Sequence, residues 1–93
     1  MRVISNKCLV AFAARHGDAD APLQAWRRIM EEASFASFAD LKRAFNATDK
    51  VGDYCVFDIG GNKYRLIAAV HFNRQMVFIR HLLTHKEYDK WKP

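Results

Sequence analysis

No apolar run in this 93-residue chain approaches the roughly 18 residues that a membrane-spanning helix needs, so no membrane association is expected. The opening stretch MRVISNKCLVAFAARHG has no small-residue cleavage site after a proper apolar block, and no secretion signal is read there. The chain has only two cysteines, Cys8 and Cys55. They lie far apart, each inside an apolar segment, which reads as buried free thiols in a reducing cytosol rather than a disulfide framework. C-x-x-C spacing is absent, and neither a metal nor another cofactor is expected. GGNK, residues 60–63, joins two strand-like segments without a Walker pattern or a following helix, so it reads as a hairpin turn and not a phosphate loop. With no internal repeat, no low-complexity tract and no dividing linker, residues 1–93 are expected to form a single domain.

What is present is a half-apolar composition, 51% by count, and a formal charge of +5 with a sequence pI near 9.5. That balance favours an anionic partner such as nucleic acid. MRVI is a short β-prone segment, and Ser5 then caps a helix that stops at Gly17. DADAPLQAWRRIMEEA predicts an amphipathic helix with an acidic N-cap, Pro22 in its first turn, and Leu23, Trp26, Ile29, Met30 and Ala33 on one face. Arg27 and Arg28 form its solvated edge, and Arg43 adds to the basic surface. Ser37 and Asp40 resemble a capping box ahead of Phe38, Leu41 and Phe45. NATDKVGD is a polar break. After it, alternation by two runs through Tyr54–Ile59, Lys63–Phe72 and Met76–Leu83, which predicts a meander of antiparallel strands. Thr84 and Glu87 form a T-x-x-E capping box that opens a C-terminal helical turn through Trp91.

Loop length fixes register. A two-residue Gly60-Gly61 turn pairs Asp58 with Lys63 and Val56 with Arg65. An even loop around Asn73-Arg74 pairs Val70 with Val77, Ala68 with Ile79 and Ile67 with Arg80. This choice gathers Cys55, Phe57, Ile59, Tyr64, Leu66, Ala68, Val70, Phe72, Val77, Ile79 and Leu83 on one face, interrupted by His81 alone. The odd register would bury Arg80 unpaired at a cost of several kcal/mol, so the even one is preferred. The helices then cover the apolar face. Lys63, Arg65, His71 and Arg80 occupy the other, mixed with Tyr54, Ile67 and Phe78, a surface suited to phosphates and stacked bases.

Such a face suits RNA strand cleavage. The pentacoordinate phosphate carries more negative charge than the diester, and Arg65 and Arg80 can stabilise it through forked donors. A group must also take the 2′-hydroxyl proton and another must protonate the leaving 5′-oxygen. His85, Tyr88, Lys63 and His71 are the candidates, with His85 placed at a helix N-terminus as an acceptor near neutral pH. Each has a plainer role open to it: Lys63 as the cross-strand partner of Asp58, Arg65 and Arg80 as solvated or carboxylate-paired residues, His71 and His81 as packing residues, and His85 and Tyr88 as cap and packing of the last helix.

The segments YCVFDIGGNKYRLIAAVHF and VFIRHLLTHKEYDKW resemble the HigB-type branch of RelE-like bacterial toxins. The likeness covers most of the chain and is strongest from Asp53 to Trp91, through a GGNxxR turn and an IRxxxTHxEYD run. It implies an α+β RelE-like fold, a small antiparallel sheet with helices on one face, a short C-terminal helix and an RNA-facing cleft. It implies the toxin of a type II toxin–antitoxin pair, a metal-independent mRNA interferase that cuts messenger RNA, commonly on the ribosome, and so arrests translation in the cytoplasm. A helix-turn-helix, HigA-like antitoxin would silence it, and promoter DNA would be reached only through that antitoxin. Matched residue by residue, the basic cleft falls on Lys63, Arg65 and Arg80, and the C-terminal polar cluster on His85, Lys86, Tyr88 and Asp89. RNA contacts are expected from Lys63, Arg65, His71, Lys86, Asp89 and Tyr54. No glutamate lies on the cleft face, which leaves His85 or Lys63 as proton acceptor and Tyr88 to orient ribose or phosphate.

Two other classes share the basic face: a non-catalytic RNA- or DNA-binding module, and an interaction domain for an acidic protein.

Overall fold

The computed structural model describes residues 1–93. In chain order the elements are β1 (Arg2–Ile4), α1 (Asn6–Arg15), a 3₁₀ turn (Gly17–Ala19), α2 (Asp20–Glu32), α3 (Phe38–Ala44), β2 (Asp49–Val51), β3 (Tyr54–Ile59), β4 (Tyr64–His71), β5 (Met76–Thr84) and α4 (His85–Lys90). The five strands form one sheet in the order β1-β5-β4-β3-β2. The α+β class follows the expectation, with one difference: β1 runs parallel to β5, so the sheet is mixed. β2 lies within the stretch read as a polar break. It pairs antiparallel with β3 through Asp49↔Val56 and Val51↔Tyr54, and as a three-residue edge strand with exposed Asp49 and Lys50 it has no apolar alternation to announce it.

Leu9 and Phe12 of α1 and Leu23, Trp26 and Met30 of α2 are buried against the sheet. Phe57 sits at the centre of this core, edge-on to Trp26 at 5.3 Å and to Phe45 at 5.4 Å. Ile29, expected on the buried face, is 43% exposed at its margin. Cys8 is also exposed, because a helix that buries Leu9 and Phe12 turns the preceding position about 100° away; only Cys55 is a buried thiol. Ser5 marks the start of α1 without a side-chain cap. Its φ of 80° makes the one-residue reversal from β1 into the helix. Ala19, not an aspartate, occupies the N-cap of α2. The other two caps form: Ser37 accepts from the Asp40 amide, and Thr84 and Glu87 exchange both bonds of a capping box.

The β3–β4 turn holds four residues, Gly60–Lys63, and pairs Ile59 with Tyr64, Asp58 with Arg65 and Val56 with Ile67. Gly60 and Gly61 both adopt positive φ, 64° and 72°, which glycine takes without a Cβ penalty. Lys63 therefore lies in the turn and not opposite Asp58. The shift from the expected register is two residues, so every side chain within the two strands keeps its face, and only Lys63 leaves the sheet.

The β4–β5 pairing follows the expected register from His71↔Met76 to Ala68↔Ile79 and then slips by one, to Ile67↔His81. Arg80 is the extra residue of this β-bulge, not the partner of Ile67. Beyond it the faces exchange. Leu82, opposite Leu66, packs on the core in place of Leu83, while His81 crosses to the other face. The second face has a small apolar floor of its own in Val56 and Ile67, 1% and 0% exposed, and α4 packs over β4 and β5 on that side.

Candidate active site

The chain passes from β5 into α4 with Thr84 as its only junction, and the Thr84–Glu87 capping box fixes the direction in which the helix leaves. Bonds from the Thr84 backbone and side chain hold the Glu87 carboxyl below its ordinary range. The His85 amide donates to the Lys63 carbonyl at 2.9 Å, tying the first residue of α4 to the β3–β4 turn. Residues from the turn, β4 and α4 thus meet at one corner of the second face.

Arg65 is the hub of that corner. Its side chain is only 11% exposed: Nε pairs with Asp58 Oδ1 at 3.1 Å, Nη1 donates to the Tyr64 carbonyl at 3.2 Å, and the guanidinium lies 5.5 Å over the Tyr88 ring. Nη2 lies 3.2 Å from His85 Nδ1. A guanidinium can only donate, so Nδ1 is the acceptor, which assigns the ring proton of neutral His85 to Nε2. That nitrogen faces Asp89 Oδ2 at 3.8 Å, one helical turn on. Tyr88 stacks on Trp91 with centroids 6.0 Å apart, and Trp91 in turn meets Tyr54 at 6.0 Å and His81 at 6.2 Å. Lys86 is exposed beside this cluster and makes no ion pair.

Of the residues singled out from sequence, Arg65, His85, Tyr88 and Asp89 converge, Lys63 joins them through its carbonyl while its ammonium is held by Asp18, and Tyr54 borders them through Trp91. His71 and Arg80 lie elsewhere on the same face. Arg80 is exposed and directs its guanidinium over Phe78, at 5.5 Å, not toward His85. Phe78 pairs with Ala69, four residues along β4 from Arg65, a separation of about 13 Å at the usual strand rise. His81 and His85 stand at H-x₃-H spacing, but they straddle the strand–helix junction, and no three His, Cys, Asp or Glu side chains group as a metal site.

Sequence reasoning missed Asp18. It reaches across from the 3₁₀ turn to accept the Tyr64 hydroxyl at 2.5 Å and the Lys63 ammonium at 3.1 Å, so Lys63 pairs here and Arg65 takes Asp58. His16 adds its ring against Phe12 at 4.5 Å and Tyr64 at 5.3 Å. No local signal marks Asp18, which sits in a GDAD string typical of helix starts and meets a partner 46 positions away. The Tyr64 bond, then Lys63, holds the Asp18 carboxyl below its ordinary value, and the same bond, with burial, pushes the Tyr64 hydroxyl up. A depressed carboxyl stabilises the fold above its unfolded pKa, and this contribution is lost as pH falls through the lower folded value. Asp18→Asn is accordingly expected to lower the melting temperature most near neutral pH. The gap to the parent protein should close below the ordinary carboxylate range, near 3.8 for Asp18; equal gaps at pH 7 and pH 3 in thermal melts would contradict it.

The HigB toxin family model, described as the RelE-like toxic component of a toxin–antitoxin system, matches residues 19–91. The chain is thus the toxic component of such a pair, and its partner is an antitoxin. Within that class it belongs to the HigB toxin family. It is 33% identical over 92 residues to the mRNA interferase toxin HigB of Escherichia coli K12, covering 96% of this chain and 88% of that protein. It is 29% identical over 93 residues to the mRNA interferase HigB of Escherichia coli O6:H1, covering 97% and 90%.

Proposed function

We propose that this protein is an endoribonuclease that cleaves messenger RNA, on the ribosome, by attack of a ribose 2′-hydroxyl on the adjacent phosphate and without a metal ion. The observation that carries this reading is the Arg65–His85 contact, which joins a forked cation to an imidazole acceptor beside an exposed edge. In the free protein His85 Nδ1 is occupied by Arg65. When a phosphate oxygen takes the Nη2 donor, Nδ1 is released to accept the 2′-hydroxyl proton. The 2′-oxygen then bonds to phosphorus, the bond to the 5′-oxygen breaks, and that oxygen takes a proton from the Lys63 ammonium or from water. The products are a 2′,3′-cyclic phosphate and a 5′-hydroxyl.

Arg65 keeps its Nε on Asp58 throughout, so its fork is preorganised for the charge that develops on phosphorus. Tyr88, held flat against Trp91, orients the ribose or phosphate. Lys86 and Tyr54 flank the path of the strand, and Asp89 steadies the His85 ring from the Nε2 side. A HigA-like helix-turn-helix protein is the antitoxin in this reading, and DNA is met only through it.

The test uses purified protein, translating ribosomes and a defined messenger. Cleavage with a cyclic phosphate end is expected, and a single 2′-deoxy residue at the cleavage site should abolish it. Products with a 3′-hydroxyl and 5′-phosphate, or cleavage that survives the deoxy substitution, would refute the 2′-hydroxyl route.

A further inference from the structure

We infer that Phe78, with Arg80 and His71, forms a second RNA subsite that stacks the base of one nucleotide flanking the scissile bond and neutralises its phosphate. This rests on the proposed ribonuclease reading and extends it along the sheet. Phe78 lies between Val77 and Ile79, both in the main core, so its ring is on the opposite, outer face. It stays partly exposed, and it is not among the residues packed against that core. Arg80 lies over the ring at 5.5 Å, and His71 meets it edge-on at 5.2 Å.

Neither Arg80 nor His71 has a carboxylate partner, in contrast to Arg65 and Lys63, and both are exposed. Arg2, whose register places it on the same face as Ile4 and Phe78, adds a second unpaired cation. Alternation by two puts Arg80 on the face of Phe78. Arg80 is the unmatched residue between Ile79 and His81, and it leans back over Phe78 and not forward to His85. An aromatic ring with free cations at its edge is the recognition chemistry of an unpaired nucleotide: π-stacking by the ring and charge for the backbone. The subsite lies about 13 Å along β4 from Arg65. Both lie on the outer face, with Ile67 buried between them and exposed His81 beside it on β5, and the occupant it fits is a neighbouring nucleotide of the same strand.

The experiment measures binding apart from chemistry. The cut is first mapped on a messenger in translating ribosomes, and then fluorescence anisotropy is read with a short single strand of that sequence carrying 2′-deoxyribose at the attacking position. An abasic residue is walked through the flanking positions. For the parent protein one abasic position should weaken binding, and Phe78→Ala should weaken the intact RNA by a similar factor, roughly 5- to 150-fold. In the Phe78→Ala protein that abasic substitution should have no further effect. Phe78→Leu, which retains apolar volume, should behave like the alanine variant, with circular dichroism confirming that both fold. Arg80→Ala should reduce the salt dependence of binding by about one phosphate contact. Unchanged affinity in both Phe78 variants, full additivity with every abasic position, or a parent protein that binds no RNA overturns the inference. So does lost neutralisation by the cognate antitoxin with RNA binding intact, which would assign the patch to protein. Failure of the messenger to be cut on translating ribosomes, with these binding effects present, removes the nuclease reading and leaves the subsite standing.

Discussion

Arg65→Ala is expected to lower the rate of messenger cleavage by about 10²–10³-fold, the loss typical when one preorganised donor to a developing oxyanion is removed. The variant also strips Asp58 of its cation, and with that carboxylate partly buried a loss on the order of 1–3 kcal/mol of stability accompanies it. The double variant Asp58→Ala/Arg65→Ala separates the two effects: it should regain much of the stability and none of the activity. Arg65→Lys keeps the charge but cannot hold Asp58, the Tyr64 carbonyl and His85 together, and should remain well below the parent rate. Single-turnover cleavage alongside thermal melts reads both quantities. Near-parental cleavage by Arg65→Ala would remove Arg65 from the chemistry.

His85→Ala is expected to reduce single-turnover cleavage by about 10²–10⁴-fold while leaving affinity for uncleavable RNA nearly intact. Growth arrest on expression should vanish with it. Because the proposed route has Arg65 and His85 exchange partners on the way to one transition state, the double variant should be scarcely slower than the worse single one. Multiplying losses would instead mean that the two act in separate steps. A variant that loses RNA binding in proportion to cleavage would make His85 a contact residue and not a proton acceptor.

Much of this corner was legible because its signals are local. The T-x-x-E box at Thr84–Glu87 is complete within four residues, and it sets His85, Tyr88 and Asp89 on a helix wherever the sheet lies. Alternation in β3 and β4 identified the buried face, and the error in turn length left that assignment unharmed because two residues preserve parity. The slip at Arg80 was not legible. A bulge inserts one residue without changing composition, and the alternation that reads Leu83 as buried gives no warning that Leu82 takes its place. Asp18 escaped because its role depends on where the 3₁₀ turn packs against Tyr64, a long-range matter that periodicity does not address.

The unmatched position in β5 also constrains how related chains can change in length. A loss or gain of two residues around Gly60–Gly61 leaves inward and outward positions as they are, so that hairpin can lengthen or shorten in steps of two. Deleting Arg80 alone would leave His81 opposite Ile67 and Leu82 opposite Leu66 and so restore plain alternation, whereas losing one residue elsewhere in β5 would turn the side chains beyond it onto the opposite face. Across homologous genes, length changes should therefore accumulate at the first hairpin tip, and single-residue ones in the last strand should be confined to the bulge.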